Sequence, residues 1–257
     1  MTITTSSENA PLEENGLLAY YSFDQITSLQ GEAKDLSGNR LHLNKPRLKG
    51  GVSVPQWAEE NGIKGPGYKF YGNNSQSQCL YSDKIGELLS KSNGSVCLWI
   101  KPLGAGNKRQ CILSLSNGFV LQKTEFLLEA NYAEDRFKAS FVKEGVLIMS
   151  VSTPPGSLDA SVGSWTHLAI VQDGVRPKLF INGSEVNTVI NGANASSAWF
   201  SCLSDSKSPP TKICVGATPG PYAPFMLLGL FAFLDEIKIW DSPLSKSDIQ
   251  KQYSIKA

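Results

Sequence analysis

Glu125 and Glu129 stand four residues apart in the run EFLLEAN. Paired carboxylates are the machinery of glycoside hydrolysis, one acting as acid and the other as nucleophile or base. On a strand two such residues share a face. Four residues of strand span about 13 Å, whereas retaining chemistry needs roughly 5 Å. Short of a bulge, the pair is expected to be two exposed glutamates and not a catalytic dyad. A second acid pair, Asp235 and Glu236, interrupts the apolar run LFAFLDEIKIW at 230–240. Phe231, Phe233, Ile237 and Ile239 recur there at odd positions, which predicts a strand burying those four side chains on one face.

Other reaction classes find little support. The chain has two histidines, His42 and His167. His167 lies in the strand-like WTHLAIVQD and is expected to be a hydrogen-bonded structural residue. There is no nucleophile elbow, phosphate-binding loop or dinucleotide fingerprint, so the chain is expected not to be an enzyme. The five cysteines show no zinc-ligand spacing. Cys97 and Cys214 sit in strand-like runs and are read as small buried hydrophobes. Cys202 and Cys214 flank the loop LSDSKSPPTKI and offer one bridge across a hairpin, against which stands the lack of a leader. Asn-x-Ser sequons occur at Asn73, Asn93, Asn182 and Asn194 and matter only in a secreted chain.

Composition narrows the partners. The chain has 257 residues, 41% apolar and 18% charged, with 24 basic against 23 acidic residues. A net charge of +1 gives no reason to expect nucleic acid or an anionic membrane as a partner. The start, MTITTSSENAPLEEN, has neither a charged nor an apolar leader region, so the chain is read as cytosolic, or as an excised domain or mature form. The longest apolar run, Pro224–Leu234, is about half of what a membrane span needs, so no membrane insertion is expected.

The positioning elements are strands. Short runs such as Ser95–Lys101, Cys111–Ser116, Glu125–Glu129, Phe137–Lys143 and Trp165–Asp173 alternate with Gly, Asn, Asp, Ser and Pro clusters. KLFINGSEV carries an Asn182-Gly183 pair, which predicts a type I′ hairpin, and Asn117-Gly118 repeats the device. The best helix is Ser245–Tyr253, with Ser245 as N-cap and Asp248 at capping-box spacing. Long loops at Lys45–Tyr68 and Asn191–Lys212 are candidate binding loops. The chain is read as a disordered segment over 1–15 followed by one domain over 16–257. Its fold class is all-β, a two-sheet antiparallel sandwich whose first and last strands meet.

GLLAYYSFD with DLSGNRLHL, GSVCLWIKP, SWTHLAIVQDG with PKLFINGSEV, and LFAFLDEIKIWDSPLSKSDIQKQY follow one another in the order of a known family. Together they resemble the laminin-G-like branch of the concanavalin A-like jelly rolls. The resemblance implies one concave and one convex sheet and a structural Ca²⁺ where the first strand, the following loop and the last strand converge. The matching positions are Asp24, Asp35, Asn39 and Asp235, oxygen donors of the kind calcium takes. Glucanases of this fold place an Asp between their two catalytic glutamates, and Leu127 stands there instead. Recognition of sugar by similar sandwiches uses exposed aromatic faces with amide, acid and guanidinium partners. Loop positions that fit are Trp57, Tyr132 with Asp135 and Arg136, Trp199 and Tyr222, while Trp99 and Trp165 are expected in the core. The expectation is a non-catalytic recognition module for a glycan, with a protein ligand as the alternative and a polysaccharide hydrolase or lyase third.

Overall fold

A computed structural model describes residues 15–24, 33–45, 55–58, 62–72, 77–104, 108–118, 123–192, 197–219 and 226–256. In chain order its strands are β1 (Leu17–Tyr21), β2 (Gln56–Ala58), β3 (Gly67–Tyr71), β4 (Leu80–Ser82), β5 (Gly94–Pro102), β6 (Arg109–Ser116), β7 (Glu125–Asn131), β8 (Arg136–Lys143) and β9 (Val146–Ser152). There follow β10 (Thr166–Gln172), β11 (Pro177–Ile181), β12 (Ser184–Val186), β13 (Val189–Asn191), β14 (Lys212–Val215), the short pair β15 (Thr218–Pro219) and β16 (Met226–Leu227), and β17 (Phe231–Trp240). One sheet runs β12-β11-β10-β5-β17-β3-β2, with β1 also paired to β17. The other runs β13-β9-β8-β7-β6-β14-β4, and every named pairing is antiparallel.

The two sheets bury their facing side chains in one core. β7 contributes Phe126, Leu128 and Ala130, β8 contributes Phe137, Ala139 and Phe141, and β5 contributes Val96, Leu98 and Ile100. This is the period-2 alternation expected of strands with one dry face. Asn182 and Gly183 both have positive φ, 49° and 75°, the conformation of the type I′ turn, and Ile181 pairs with Ser184 across it. The segment Leu41–Asn44 forms only isolated bridges, Ala33 with Leu43 and Asn44 with Tyr81. Residues 1–14 of the predicted disordered segment lie outside the described residues.

The last strand departs from its predicted pattern. Ala232 and Leu234 join the core, and so do Ile237 and Ile239. Phe231 and Phe233 therefore face outward, and Phe233 lies beneath the Lys69 and Lys101 ammonium groups and beside Trp165. The cause is a β-bulge: Asp235 pairs with Trp99 and Lys238 with Cys97, so three steps of β17 oppose two of β5. One extra residue exchanges the two faces. Glu236 takes up the distortion at φ 51°, a left-handed conformation uncommon outside glycine.

Outside the core sheet sits one short helix, α2 (Lys246–Tyr253), following α1 (Gly86–Leu89). Ser245 accepts from the Asp248 N–H and the Asp248 carboxylate accepts from the Ser245 N–H, the predicted capping box. Ile249 packs with Trp240, Cys97, Ala169, Val171 and Phe180 in a second apolar cluster on the outer side of the sheet. Trp99 is buried on this outer side, stacked at 5.5 Å on Tyr253. Trp165 precedes β10 half-buried. His167 packs edge-on to Trp99, 5.3 Å away, and 6.1 Å from Tyr253. Neither of its ring nitrogens has a hydrogen-bond partner among the described residues, so it is held by packing and not by the expected hydrogen bonds.

Burial, assisted by the Lys238 charge, pulls the His167 pKa down to about 4. The fold thus favours neutral imidazole. The stability this contributes is fully present above the unfolded value near 6.5 and is lost as pH falls from there to about 4, with a slope of up to ~1.4 kcal/mol per pH unit. Denaturant midpoints measured between pH 7 and pH 4 are expected to fall less steeply for His167→Leu than for the wild type. Parallel curves would mean that His167 takes its proton in the folded state. Removing the cap with Ser245→Ala is expected to cost about 1 kcal/mol, read as a lower melting temperature at constant pH.

Candidate functional site

The outward side of the second sheet is polar where its inward side is apolar. On β7 the alternation that sends Phe126 and Leu128 inward turns Glu125, Glu129 and Asn131 outward. Register sets their neighbours: Arg109 stands opposite Asn131 and Cys111 opposite Glu129 on β6, and Val142, Ser140 and Lys138 run along β8. These strands floor an open groove of about 400 Å³, with Ser140 and Ser150 at its base and Arg109, Lys123 and Lys138 around it. Val142 and Leu147, paired across β8 and β9, give it one apolar wall.

Its charges are matched. The Arg109 guanidinium meets Glu129 Oε2 from two nitrogens, Nη2 at 2.7 Å and Nε at 2.8 Å. Lys123 Nζ lies 2.6 Å from Glu125 Oε1, and Lys138 Nζ 3.2 Å from Glu134 Oε1. Asn131 Nδ2 donates to Glu129 and to Glu134, while its Oδ1 accepts the Ala133 and Glu134 N–H groups and so shapes the β7–β8 turn. Glu125 and Glu129 are only 3% and 1% exposed, which corrects the expectation of two exposed glutamates. They do share a strand face, and β7 pairs with β8 residue by residue without a bulge. Their separation therefore stays near the straight-strand value of about 13 Å. Glu125 Oε2 is buried with no hydrogen-bond partner among the described residues.

Among the described residues, the predicted aromatic ligand residues do not line this groove. Trp199 is a core residue, 1% exposed, stacked 4.6 Å from Phe200 and tilted against Phe126 and Phe141. Its loop folds inward because a 3-10 turn, Phe200–Leu203, buries Phe200 and Leu203 beside it. Trp57 is half-buried on β2 and donates its indole N–H to the Phe23 carbonyl at 2.8 Å. Tyr132 packs partly against the core. Asp135 ties the turn to the following loop by accepting the Asp159 N–H. Arg136 spans from the Glu134 carbonyl to the Ser152 hydroxyl. The turn ANYAEDR does border the groove, through Asn131, Ala133 and Glu134. Tyr222 lies outside the described residues. Arg109, Lys123 and Lys138 were not singled out from sequence; the available signal was polar residues at alternate positions in three consecutive strands.

The four residues matched to calcium separate into two groups. Both Asp35 oxygens are engaged by backbone: Oδ1 accepts the Tyr20 and Ser37 N–H groups and Oδ2 that of Leu41. Asn39 Nδ2 donates to the Leu17 and Leu18 carbonyls. Both residues fasten their loop to β1. Asp24 and Asp235 instead share one electrostatic neighbourhood with Glu236. Burial, reinforced by the charges of Glu236 and Asp24, raises Asp235 to about 8, even though its oxygens accept the Ile63 and Glu236 N–H groups. Glu236 and Asp24 are raised too, chiefly by desolvation. Glu236 accepts the Tyr20 hydroxyl at 3.0 Å, and Lys238 lies 3.9 Å from it. As a set the four do not fit one ion, and no group of three or more His, Cys, Asp or Glu among the described residues is arranged to hold one. The five cysteines are free thiols. Cys202 and Cys214 are therefore not bridged, while Cys97 and Cys214 are buried as expected.

Comparison with known proteins places this geometry in a wider set. No curated protein matches the chain significantly. Among solved structures, the Ruminococcus gnavus IT-sialidase CBM40 bound to α2,3-sialyllactose is similar at TM-score 0.52 and 16% identity, over 80% of this chain and 97% of that one. A structure titled for botulinum neurotoxin type C and its interaction with two ganglioside molecules is similar at TM-score 0.62 and 10% identity, over 94% and 51%. The binding domain of botulinum neurotoxin DC, in complex with rat synaptotagmin II, is similar at TM-score 0.60 and 10% identity, over 94% and 52%. The chain spans about half the length of the two neurotoxin chains. At these identities the likeness shows a common fold. The laminin-G family model Laminin_G_3, of the concanavalin A-like lectin/glucanases superfamily, matches residues 73–250, and the chain belongs to that family.

Proposed function

We propose that the chain is a non-catalytic carbohydrate-recognition domain and that the groove over β6–β9 is its site. The carrying observation is an open groove whose floor is hydroxyl, amide and paired charge, with an apolar wall of Val142 and Leu147. A sugar presents the complementary pattern, hydroxyls around an apolar C–H face. The groove's volume is within the ordinary range of small-ligand sites, roughly 300–1,000 Å³. Similar folds whose titles name sialyllactose and gangliosides support the class of ligand. Against hydrolysis stand a glutamate separation of about 13 Å where roughly 5–9.5 Å is needed, and the cations bonded to both acids.

Protein recognition is the second reading, supported by the synaptotagmin complex of a similar fold. It calls for a contiguous apolar patch. Of the exposed large hydrophobics among the described residues, Val146 and Leu147 adjoin on β9, while Tyr71, Val162, Val175, Val189 and Leu227 lie on other elements. Calcium is carried forward for Asp24 and Asp235 alone, where a cation would relieve the repulsion that helps to raise Asp235. The remaining ligands would have to come from backbone carbonyls.

A glycan array is expected to show wild-type binding that falls by at least about tenfold, or ~1.4 kcal/mol, in Ser140→Leu, which fills the groove from its floor. A silent array, or an unaffected variant, would remove the groove from consideration. For calcium, the melting temperature is expected to rise on adding the ion and to stop responding in Asp235→Asn. At a hundredfold excess over Kd the gain is about 2.7 kcal/mol. Identical melting in calcium and in chelator disposes of the ion.

A further inference from the structure

We propose that the outer face of the first sheet holds a second glycan site, one that takes an acidic sugar bearing a carboxylate or a sulfate ester. This rests on the glycan-binding reading and adds a site and a ligand class to it. One row of side chains crosses β2, β3, β17 and β5 in register: Gln56 opposite Lys69, Lys69 opposite Phe233, and Phe233 opposite Lys101. Trp165, just before β10, closes the row with its ring 6.4 Å from that of Phe233. At about 4.8 Å per strand the row is a strip roughly 19 Å long. It exists because the β17 bulge turns Phe233 outward.

The cations of this strip differ from those of the groove. Arg109, Lys123 and Lys138 each meet a carboxylate. Lys69 and Lys101 meet rings instead. Lys69 Nζ lies 4.5 Å from the Tyr71 centroid and 5.1 Å from that of Phe233, and Lys101 Nζ lies 5.8 Å from Phe233. Neither has a carboxylate partner among the described residues. The acids of β17 are turned elsewhere, Asp235 to the Ile63 and Glu236 N–H groups and Glu236 to the Tyr20 hydroxyl. A ring attracts an ammonium group without neutralising it. Two such groups on one strip select negative charge, and as point charges they accept carboxylate and sulfate alike.

The rings and the amide supply the rest of the complement. α2 covers the part of this face that holds Trp99 and Trp240, laying Tyr253 and Ile249 against them. Beyond it Tyr71 is 40% exposed and Trp165 half-buried. Tyr71 donates its hydroxyl to Gln56 Oε1 at 2.9 Å, which leaves the exposed Gln56 amide nitrogen to donate outward. Aromatic surface for sugar C–H groups, an amide for hydroxyls and ammonium groups for acids together match an acidic glycan. A lipid surface fits less well, because anionic headgroups are recognised by clusters of about four to eight cations.

The experiment is a glycan array with neutral, sialylated and sulfated members, so that carboxylate and sulfate are read separately. The wild type is expected to bind acidic glycans, and less tightly as salt is raised. The double variant Lys69→Gln with Lys101→Gln is expected to lose at least about tenfold of that binding, with neutral binding and melting temperature unchanged. Lys69→Arg keeps the charge and is expected to keep the binding. Ser140→Leu, which blocks the groove, is expected to spare it. Should the double variant fail to fold, each single Lys→Gln variant reads the same loss. Acidic binding that survives the lysine variants, or is lost in Ser140→Leu alone, would overturn the second site and leave the groove standing. So would an array bound only at its neutral members, or binding to phosphatidylserine vesicles without binding to acidic glycans. Silence on every glycan would end both readings.

Discussion

The bulge at Asp235–Glu236 is the constraint on which the arrangement of the first sheet depends. Before it, β17 pairs with β3 through Phe231–Leu234; after it, with β1 through Ile237–Trp240. One strand thus holds two different neighbours on the same edge while β5 runs the whole length of its other edge. The extra residue keeps Ala232, Leu234, Ile237 and Ile239 all in the core although the neighbour changes. It also places two carboxylates in a dry place. Asp235 caps the Ile63 and Glu236 N–H groups, donors that a bulge or bend would otherwise leave unpaired. Glu236 takes the Tyr20 hydroxyl. The acids bear the cost of burial, visible in their raised pKa values, because they supply hydrogen bonds that the broken ladder cannot.

The second sheet handles its buried charge differently. Arg109, Glu129, Lys123, Glu125, Lys138 and Glu134 form pairs within and across neighbouring strands, so no ionised group is left alone among low-dielectric surroundings. Pairing of this kind adds little stability, since desolvation opposes the Coulomb gain. Its effect is orientation: Asn131 links two of the carboxylates and holds the turn between β7 and β8 at the groove's rim. The polar face is thereby tied together by its own hydrogen bonds.

Legibility from sequence follows the range of the interaction concerned. Asn182-Gly183 and the Ser245–Asp248 cap are determined by residues one to three positions apart, and both appear as predicted. The strand character of β17 was evident, but its faces were not, because a bulge inserts a residue without altering composition. Trp199 failed for another reason. An aromatic in a long polar loop has the same local signature whether it meets a ligand or folds back, and the outcome depends on Phe126, Phe141 and Phe200, distant in sequence or inward-turned. The groove required register. Glu129 could be placed on a strand face from EFLLEAN alone, yet that Arg109 reaches it follows from the pairing of β6 with β7, where the β6 bulge between Cys111 and Leu113 shifts the alignment by one.

The two acidic regions therefore differ in how their carboxylates are held. Asp235 and Glu236 attract attention in the sequence because they break an apolar pattern, and in the fold their oxygens accept hydrogen bonds from the backbone and from Tyr20. Glu125 and Glu129 resemble ordinary polar positions in an alternating strand, but they sit on an open face beneath a groove. Glu129 is committed to Arg109 and Asn131. Glu125 is committed through one oxygen only. The two strands thus bury carboxylates to different ends: β17 to close a broken ladder, β7 to pair with cations from its neighbours.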